Sequence, residues 1–343
     1  MPRPSVPPPT THTPPLGALL RRYAAGSALT CEPVDQGLLN RGYRLCTTRG
    51  RYFLKHHFDP ETADPAAIAR QHHATRRLAD LGVPVAPPLA ATDGRTVAVV
   101  GGHAYALHPW IDGGHRHGGQ LTGEECRRLG ALLGLVHACL ERVMPADGRA
   151  PGKPADGADP ADTRALIDDL LGHVNRRRPP DAFDELARHR LLERRALLEE
   201  HADRRPPRGG SVGWVHGDFH PYNLLYRDGE PAAIVDWDRL GVQPRAEEAV
   251  RAAVIFFVRP DGTLDLAKVR AYARAYRRSA GASGAEFAAA VHRVWWERLN
   301  DFWILRWHYE RGDTRADPQF PAASALVMWW TREYDAVGEA FAG

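Results

Sequence analysis

The first third of the chain alternates short apolar runs with turn residues, a pattern typical of β-strands. Three such runs are divided by Gly, Asn and an Arg-Gly pair, and they predict a three-stranded meander. Two further runs flank a Gly-Gly pair and predict a hairpin. The predicted strands are Glu32–Leu38, Tyr43–Thr47, Arg51–His56, Thr96–Val100 and His103–His108. A small antiparallel sheet is therefore expected near the N-terminus.

Apolar residues at helical spacing dominate the rest of the chain. Asp64 followed by Pro65 predicts the start of a long helix that ends at Gly82, and Thr122 with Glu125 predicts a capping box for the next one. Further helices are expected at about 16–25, 126–143, 163–176, 183–202, 245–257, 264–279, 284–311 and 319–341. The pattern predicts an α+β fold with a small sheet plus one long helix, followed by a larger, mostly helical part.

Composition narrows the class of protein. The 343 residues are 43% hydrophobic and carry a net charge of only +3, so a globular protein without a basic stripe for nucleic acid is expected. The four cysteines form no C-x-x-C pair, and neither a signal peptide nor a membrane-length apolar run is found. These features favour a cytoplasmic location without a membrane partner. Residues 1–15 are rich in proline and predict an extended tail.

The segment from His216 to Asp238 concentrates the candidate chemistry. Asp218 and Asn223 are five positions apart around Pro221, and Asp236 follows an apolar, β-branched run. Phosphoryl transfer needs charge neutralisation and alignment rather than covalent chemistry from the protein. Mg²⁺ takes hard oxygen ligands from one or two side chains, for which an Asn carbonyl and an Asp carboxylate suffice. A carboxylate on the same loop can accept the hydroxyl proton, and Asp218 fits that role.

The spacing of His216, Asp218 and Asn223, H-x-D-x-x-x-x-N, is similar to the catalytic loop of protein kinases. With IVDWD after it, the segment resembles the aminoglycoside phosphotransferase and homoserine/choline kinase superfamily more closely. The resemblance implies a protein-kinase-like fold with an N-terminal lobe at 16–110, a C-terminal lobe at 111–343 and ATP·Mg²⁺ in the interlobe cleft. It also implies that Asp218 is the catalytic base, that Asn223 and Asp236 hold Mg²⁺, and that His216 is mainly structural.

The same resemblance assigns a nucleotide-binding role to the N-terminal lobe. The resemblance implies that the turn with Gly37, Asn40 and Gly42 is the loop that covers the nucleotide. These residue types tolerate positive φ and let backbone N–H groups approach a phosphate, and taken alone they fit a plain hairpin equally well. Lys55 corresponds to the strand lysine that pairs with the α- and β-phosphates. Lysine occurs only at positions 55, 153 and 268, and the other 42 of the 45 basic residues are arginine.

Two further positions complete the implied nucleotide site. The helix position at which related kinases carry a glutamate holds Gln71, which could accept a hydrogen bond from Lys55 without supplying charge. The segment ALHPWIDG resembles the interlobe hinge, where the Pro109 carbonyl and the Ile111 N–H would contact adenine. Trp110 is expected to pack rather than bind.

The C-terminal helices are expected to form the wall of the acceptor site. Six of the nine tryptophans lie at 295, 296, 303, 307, 329 and 330, a stripe that is usually core but that can line a pocket. His137 is expected to be a packed core histidine. The predicted activity is transfer of the γ-phosphate of ATP to a small-molecule hydroxyl. A kinase of a peptide Ser/Thr and, because of Gln71, a non-catalytic nucleotide-binding regulator remain alternatives.

Overall fold

The computed structural model describes residues 13–34, 40–58, 63–144, 156–207 and 212–343. The chain divides into two compact units. The first comprises the residues up to Gly113 together with Pro231–Asp238, and the second comprises Gly114–Glu230 and Arg239–Gly343. Within the described ranges, no helix combines the length and apolarity that a membrane span requires.

The first unit contains a five-stranded antiparallel sheet in the order β1-β2-β3-β5-β4. Its elements are α1 Leu16–Arg22, β1 Ala28–Val34, β2 Arg41–Thr47, β3 Gly50–His57, α2 Pro65–Asp80, β4 Ala98–Val100 and β5 His103–Pro109. The predicted meander and hairpin are both present, although the predicted first strand extends to Leu38 into residues outside the described ranges. The α2 cap is as predicted, because the Asp64 carboxylate accepts the N–H groups of Ala66 and Ala67.

The two faces of this sheet have different chemistry. On one face Leu45, Leu54 and Leu107 pack with α1 in the apolar core of the unit. The register pairs Lys55 with Ala106 and His57 with Ala104, so the opposite face presents Lys55 and His57 because side chains alternate along a strand. The sequence alternation thus gives the sheet one apolar face and one face that holds a buried cation.

The second unit is mostly helical. Its elements are α3 Gly123–Val143, α4 Pro160–Arg176, α5 Ala182–Glu200, β6 Val212–Val215, β7 Leu224–Arg227, β9 Gly241–Pro244, α6 Arg245–Phe257, α7 Leu266–Ala280, α8 Gly284–Asn300, α9 Trp303–Arg306, α10 Phe320–Arg332 and α11 Tyr334–Ala342; β8, Glu230–Ile234, continues from it into the first unit. Strands β6 and β9 pair antiparallel. The capping box predicted at Thr122 and Glu125 begins α3.

Helices α3 and α7 approach closely because small residues lie at their contact. A methyl group added at Gly130 of α3 would fall 2.2 Å from the carbonyl oxygen of Tyr272 on α7. Tyr272 itself is fully buried. The glycine is therefore required by backbone-to-backbone packing rather than by its conformation.

Both of the long helices predicted at the C-terminus are interrupted. The 284–311 prediction is wrong between Asn300 and Trp303, where the Arg194 guanidinium donates to the carbonyl groups of Arg298 and Leu299 and ends α8. Asp301 then accepts the N–H of Trp303 and begins α9, which continues into a π-helical turn at Trp307–Arg311. The 319–341 prediction likewise divides between α10 and α11 at Glu333.

The six tryptophans of these helices have different environments. Trp295, Trp296 and Trp330 are fully buried, as expected of core residues. Trp303 lines a small cavity of about 50 Å³ together with Arg190 and Arg298. The aromatic stripe therefore serves mainly the core, with one ring beside a cavity.

We expect Gly130→Ala to destabilise the protein by about 2 kcal/mol or more, because the added methyl group overlaps a backbone carbonyl that cannot move without separating α3 from α7. Gly338→Ala in α11 is the matched control. No heavy atom lies within 4 Å of a methyl group added at Gly338, and alanine favours a helix interior over glycine by about 0.5–1 kcal/mol. Urea unfolding monitored by circular dichroism measures both free energies. Equal stabilities of the two variants would contradict the packing argument.

Candidate active site

Asp236 lies just after β8 in an uncommon backbone conformation. Ile234 at the end of β8 is buried and donates its N–H to the carbonyl of Pro84 at 2.8 Å, which fixes the strand end. Asp236 has φ of 60°, in the left-handed region that few non-glycine residues adopt. Its carboxylate is 46% exposed. A strained residue with an accessible carboxylate at a strand end is typical of a functional position.

Lys55 carries a buried charge that two carboxylates neutralise. Its Nζ lies 2.7 Å from an oxygen of Asp236 and 2.7 Å from an oxygen of Asp238. Burial alone would lower the pKa of Lys55, but these two carboxylates raise it above its ordinary value. Lys55 is therefore a charged ammonium held at a fixed place, as a group that pairs with phosphate must be.

The histidines around Lys55 do not add to its charge. Burial lowers the pKa of His57 to about 2, that of His72 to about 3 and that of His108 to about 4. The three rings are neutral at pH 7, so Lys55 is the cation among these four side chains.

Gln71 and Asn40 both contact Asp238, which sequence reasoning missed as a site residue. The Gln71 side chain donates to the Asp238 carbonyl at 2.9 Å, and among the described residues the Lys55 ammonium bonds to Asp236 and Asp238 and not to Gln71. The Asn40 amide donates to the Asp238 carboxylate at 2.5 Å and its carbonyl accepts the N–H of Phe58. Asn40 therefore makes its contacts through its side chain, and its φ is not positive.

Gly42 also has a packing role that the sequence pattern did not reveal. It lies in β2 opposite Lys55 and has no positive φ. A methyl group there would fall 2.6 Å from the Phe53 ring, so the glycine leaves room for that side chain. Gly37 of the same predicted loop lies outside the described residues.

The hinge-like segment keeps one backbone donor available. The Trp110 N–H bonds to the carbonyl of Arg51 at 3.1 Å, which continues the pairing of β5 with β3. The Trp110 ring packs beneath the Arg44 guanidinium at 5.1 Å, as expected of a packing residue. Among the described residues no hydrogen-bond partner is found for the Ile111 N–H.

In the second unit, Glu248 of α6 anchors the segment before Asp218. Its carboxylate accepts the N–H of His216 at 3.2 Å, the N–H of Gly217, and a hydrogen bond from His137 at 2.7 Å. Burial alone would raise the pKa of Glu248, but the hydrogen bond and charge of His137 hold it below its ordinary value. His137 is buried, as predicted. Glu248 was missed because it lies outside the recognised motif.

Gly217 lets the loop turn against its neighbour. Its φ is +85°, and a methyl group there would fall 2.1 Å from the carbonyl oxygen of Arg239. Both conditions require glycine. The glycine of the HGD triplet is therefore a backbone requirement that places Asp218 beyond a sharp turn.

Asp218 and Asn223 are connected through the backbone of their loop. The Asn223 side-chain nitrogen donates to the Asp218 backbone carbonyl at 2.8 Å. The side-chain oxygen of Asn223 is the atom that could coordinate a cation. The Asp218 carboxylate lies 3.6 Å from the His220 ring and 3.8 Å from the Arg239 guanidinium. Burial alone would raise the pKa of Asp218, but His220 and Arg239 hold it below its ordinary value. The carboxylate is therefore ionised near neutral pH.

The predicted residues fall into two groups. Lys55, Asp236, Asn40 and Gln71 form one connected cluster in the first unit, and Asp218 and Asn223 form another in the second. Comparison with known proteins assigns the chain to a family. The profile of the phosphotransferase enzyme family matches residues 30–282. The chain belongs to the phosphotransferase enzyme family.

Curated relatives have the same class of activity. This phosphotransferase is 25% identical to the homoserine kinase of Methylobacillus flagellatus over 295 residues, which cover 83% of this chain and 84% of the relative. It is 24% identical to the homoserine kinase of Nitrobacter hamburgensis over 297 residues, which cover 84% of each. The family and these relatives identify a small-molecule phosphotransferase, so the alternative of a regulator without catalysis is set aside.

Solved structures share the fold. The crystal structure of spectinomycin phosphotransferase with ADP and spectinomycin has a TM-score of 0.63 and 14% identity, covering 95% of this chain and 96% of that one. The microcompartment-associated aminopropanol kinase has a TM-score of 0.60 and 17% identity, covering 94% and 98%. The predicted α+β, protein-kinase-like fold is confirmed.

We expect Glu248→Gln to lower both the stability and the turnover of the phosphotransferase. An amide in place of the carboxylate turns an NH₂ group toward one of two backbone donors, and an unsatisfied buried donor costs about 1–3 kcal/mol. Glu247→Gln is the control, because Glu247 instead pairs with the Arg293 guanidinium at 2.6 Å. Thermal unfolding and turnover are measured together. An unchanged Glu248→Gln enzyme would show that the loop does not depend on this anchor.

Proposed function

We propose that this phosphotransferase moves the γ-phosphate of ATP to a hydroxyl group of a small molecule, with Mg²⁺ as the required ion and Asp218 as the catalytic base. The observation that carries the proposal is the ionised Asp218 carboxylate on a loop that Glu248 fixes from one side and Asn223 from the other. A base that is already ionised and held in place can accept a proton without reorganising first.

The residues present fit a magnesium ion. Asp236 offers an accessible carboxylate, and Asn223 has its amide nitrogen engaged, so each supplies the hard oxygen that Mg²⁺ prefers. We propose that these two side chains hold the ion. When bound, the ion would neutralise charge on the phosphates. The set contains no thiolate and no histidine nitrogen, which suits Mg²⁺ better than a softer metal.

The first unit also fits a nucleotide. Lys55 supplies a fixed positive charge for the phosphates. Asp236 and Asp238 hold its ammonium, while the Gln71 side chain bonds to the Asp238 carbonyl. The N–H of Ile111 and the carbonyl of Pro109 supply the donor and acceptor pattern that an adenine edge would match. We propose that these groups bind ATP. The resemblance also assigned Asn40 and Gly42 to the nucleotide. Asn40 supports the site by its hydrogen bond to Asp238, and Gly42 supports it by leaving room for the Phe53 ring.

Asp218 carries the proton step. The acceptor oxygen forms a bond to the γ-phosphorus while the bond from that phosphorus to the β–γ bridging oxygen breaks, and ADP leaves with the electron pair. The hydroxyl proton moves to the Asp218 carboxylate. His220 and Arg239 keep that carboxylate ionised beforehand. The role of the protein in this step is to orient the hydroxyl and receive its proton.

The acceptor we favour is a small amino alcohol. Its support is that the curated relatives are named homoserine kinases and that a solved neighbour is named an aminopropanol kinase. A hydroxylated antibiotic is the second candidate, because another neighbour is a spectinomycin phosphotransferase. A peptide acceptor, the alternative that the catalytic loop leaves open, has no relative among these to support it.

We expect Asp218→Asn to lose about 10²- to 10⁴-fold in turnover, the usual worth of a positioned base. The assay is ATP consumption with Mg²⁺ across amino alcohols, hydroxylated antibiotics and sugars. Asp228→Asn is the matched control, because Asp228 is an exposed turn residue ten positions further along. Near-normal turnover of Asp218→Asn would refute the assignment of the base. Absence of ATP binding by the wild type would refute the proposal that ATP is the phosphate donor.

We expect His220→Asn to move the acid limb of the kcat/KM profile to higher pH. His220 helps to hold the pKa of Asp218 below its ordinary value, and without it burial raises that pKa. Since Asp218 must be ionised to act, activity is then lost at a higher pH as the solution is acidified. His189→Asn, at a residue exposed on α5, is the control. An unmoved acid limb would mean that this ring does not tune the base.

A further inference from the structure

Two carboxylates neutralise Lys55, but they differ in exposure. The Asp236 side chain is 46% exposed and the Asp238 side chain is 13% exposed, although each places an oxygen 2.7 Å from the Lys55 Nζ. Asp236 can therefore reach a ligand from solution, whereas Asp238 faces the protein. This asymmetry points to two different tasks for the two residues.

Asp238 is held by three different parts of the first unit. One carboxylate oxygen accepts from Lys55 of β3, and the other accepts from Asn40 before β2. Its backbone carbonyl accepts from Gln71 of α2. Asn40 in turn accepts the N–H of Phe58 through its own side-chain oxygen. With both side-chain oxygens and the carbonyl engaged, Asp238 has little freedom to move.

A buried ammonium requires a charged partner, because burial disfavours a charge that no counter-ion compensates. Helix α2 contributes the neutral side chain of Gln71, which donates to the Asp238 backbone carbonyl and adds no charge beside Lys55. Any cation that binds the accessible carboxylate of Asp236 competes with Lys55 for it. The charge that remains beside Lys55 is then that of Asp238.

We propose that Asp238 is the positioning residue that fixes the Lys55 ammonium while Asp236 is engaged with a cation. This inference rests on the proposed function for the identity of that cation and of the nucleotide. Asn40 and Gln71 hold Asp238 in place, so the helix contributes to the position of Lys55 through Asp238 instead of through its own carboxylate. Asp238 itself does not touch the reacting atoms.

Selective labelling of lysine tests the proposal without requiring activity. The chain has only three lysines, at 55, 153 and 268, and Lys268, which donates to the Gly118 carbonyl, is an internal reference. An amine-reactive reagent is applied at fixed pH without nucleotide, and peptide masses report the modification rate of each lysine. Removing the carboxylate that holds Lys55 breaks a 2.7 Å ion pair and leaves the amine freer to reach the reagent.

We expect Asp238→Asn to raise the labelling rate of Lys55 relative to Lys268 by about tenfold, and Asp238→Glu to restore most of the protection. Asp112→Asn is the matched control, because Asp112 pairs with Arg51 on the surface of the same unit. If Asp238→Asn does not fold, Asn40→Ala is measured instead, with a smaller increase expected. An unchanged rate in Asp238→Asn, with an increase in Asp236→Asn, would overturn the proposal because Asp236 alone would then hold Lys55.

Nucleotide binding is the second measurement that tests the role of Asp238. We expect Asp238→Asn to weaken ATP binding with Mg²⁺ by about 10-fold or more, the effect of one lost charge-assisted contact, and to leave the half-saturating Mg²⁺ concentration unchanged. A raised Mg²⁺ requirement with unchanged labelling would identify Asp238 as a metal ligand and overturn the positioning role. If the wild type binds no ATP, the proposed function fails, while the labelling result still decides how Lys55 is held.

Discussion

The first unit depends on one buried positive charge. The Lys55 ammonium lies on a sheet face that also holds neutral histidines, and the two carboxylates that follow β8 are its counter-ions. Burying an ammonium without a counter-ion would cost several kcal/mol. The segment Pro231–Asp238 therefore belongs to the first unit for an electrostatic reason as well as for its backbone contact with Pro84.

A second buried charge has the corresponding role in the other unit. Glu248 accepts two successive backbone N–H groups just before Asp218, and it also accepts a hydrogen bond from His137 of α3. In both units, a buried carboxylate holds a residue that we propose takes part in the reaction. Such supporting groups are what hold a catalytic residue within the small tolerance that chemistry requires.

Features that depend on nearby residues were predictable from the sequence. The α2 cap at Asp64, the α3 capping box and the hairpin at Gly101 follow from residues within a few positions of one another. The candidate site residues Asp218, Asn223 and Asp236 were predicted because their spacing is characteristic. Asp238 and Glu248 were missed because their importance comes from contacts with residues more than 100 positions away.

The helix breaks near Asn300 and Glu333 show the same limit. Local periodicity continues through 301 and 302, and the stop at Asn300 comes from Arg194, which lies on another helix. The fold class was therefore accessible from pattern alone, whereas the length of an element depended on tertiary hydrogen bonds. Gly42 is a related case, because its residue type was noticed while its reason, the ring of Phe53, lies on the adjacent strand.

The discontinuity of the first unit has a consequence for how the chain is made. A ribosome that has synthesised the residues up to Gly113 has produced all five strands of the sheet and the buried lysine, but neither of its counter-ions. The carboxylates emerge only with Asp236 and Asp238, after helices α3, α4 and α5 have been synthesised. The N-terminal unit therefore completes its folding late in translation, and a nascent chain truncated before Asp238 would carry an ammonium that stays in contact with water.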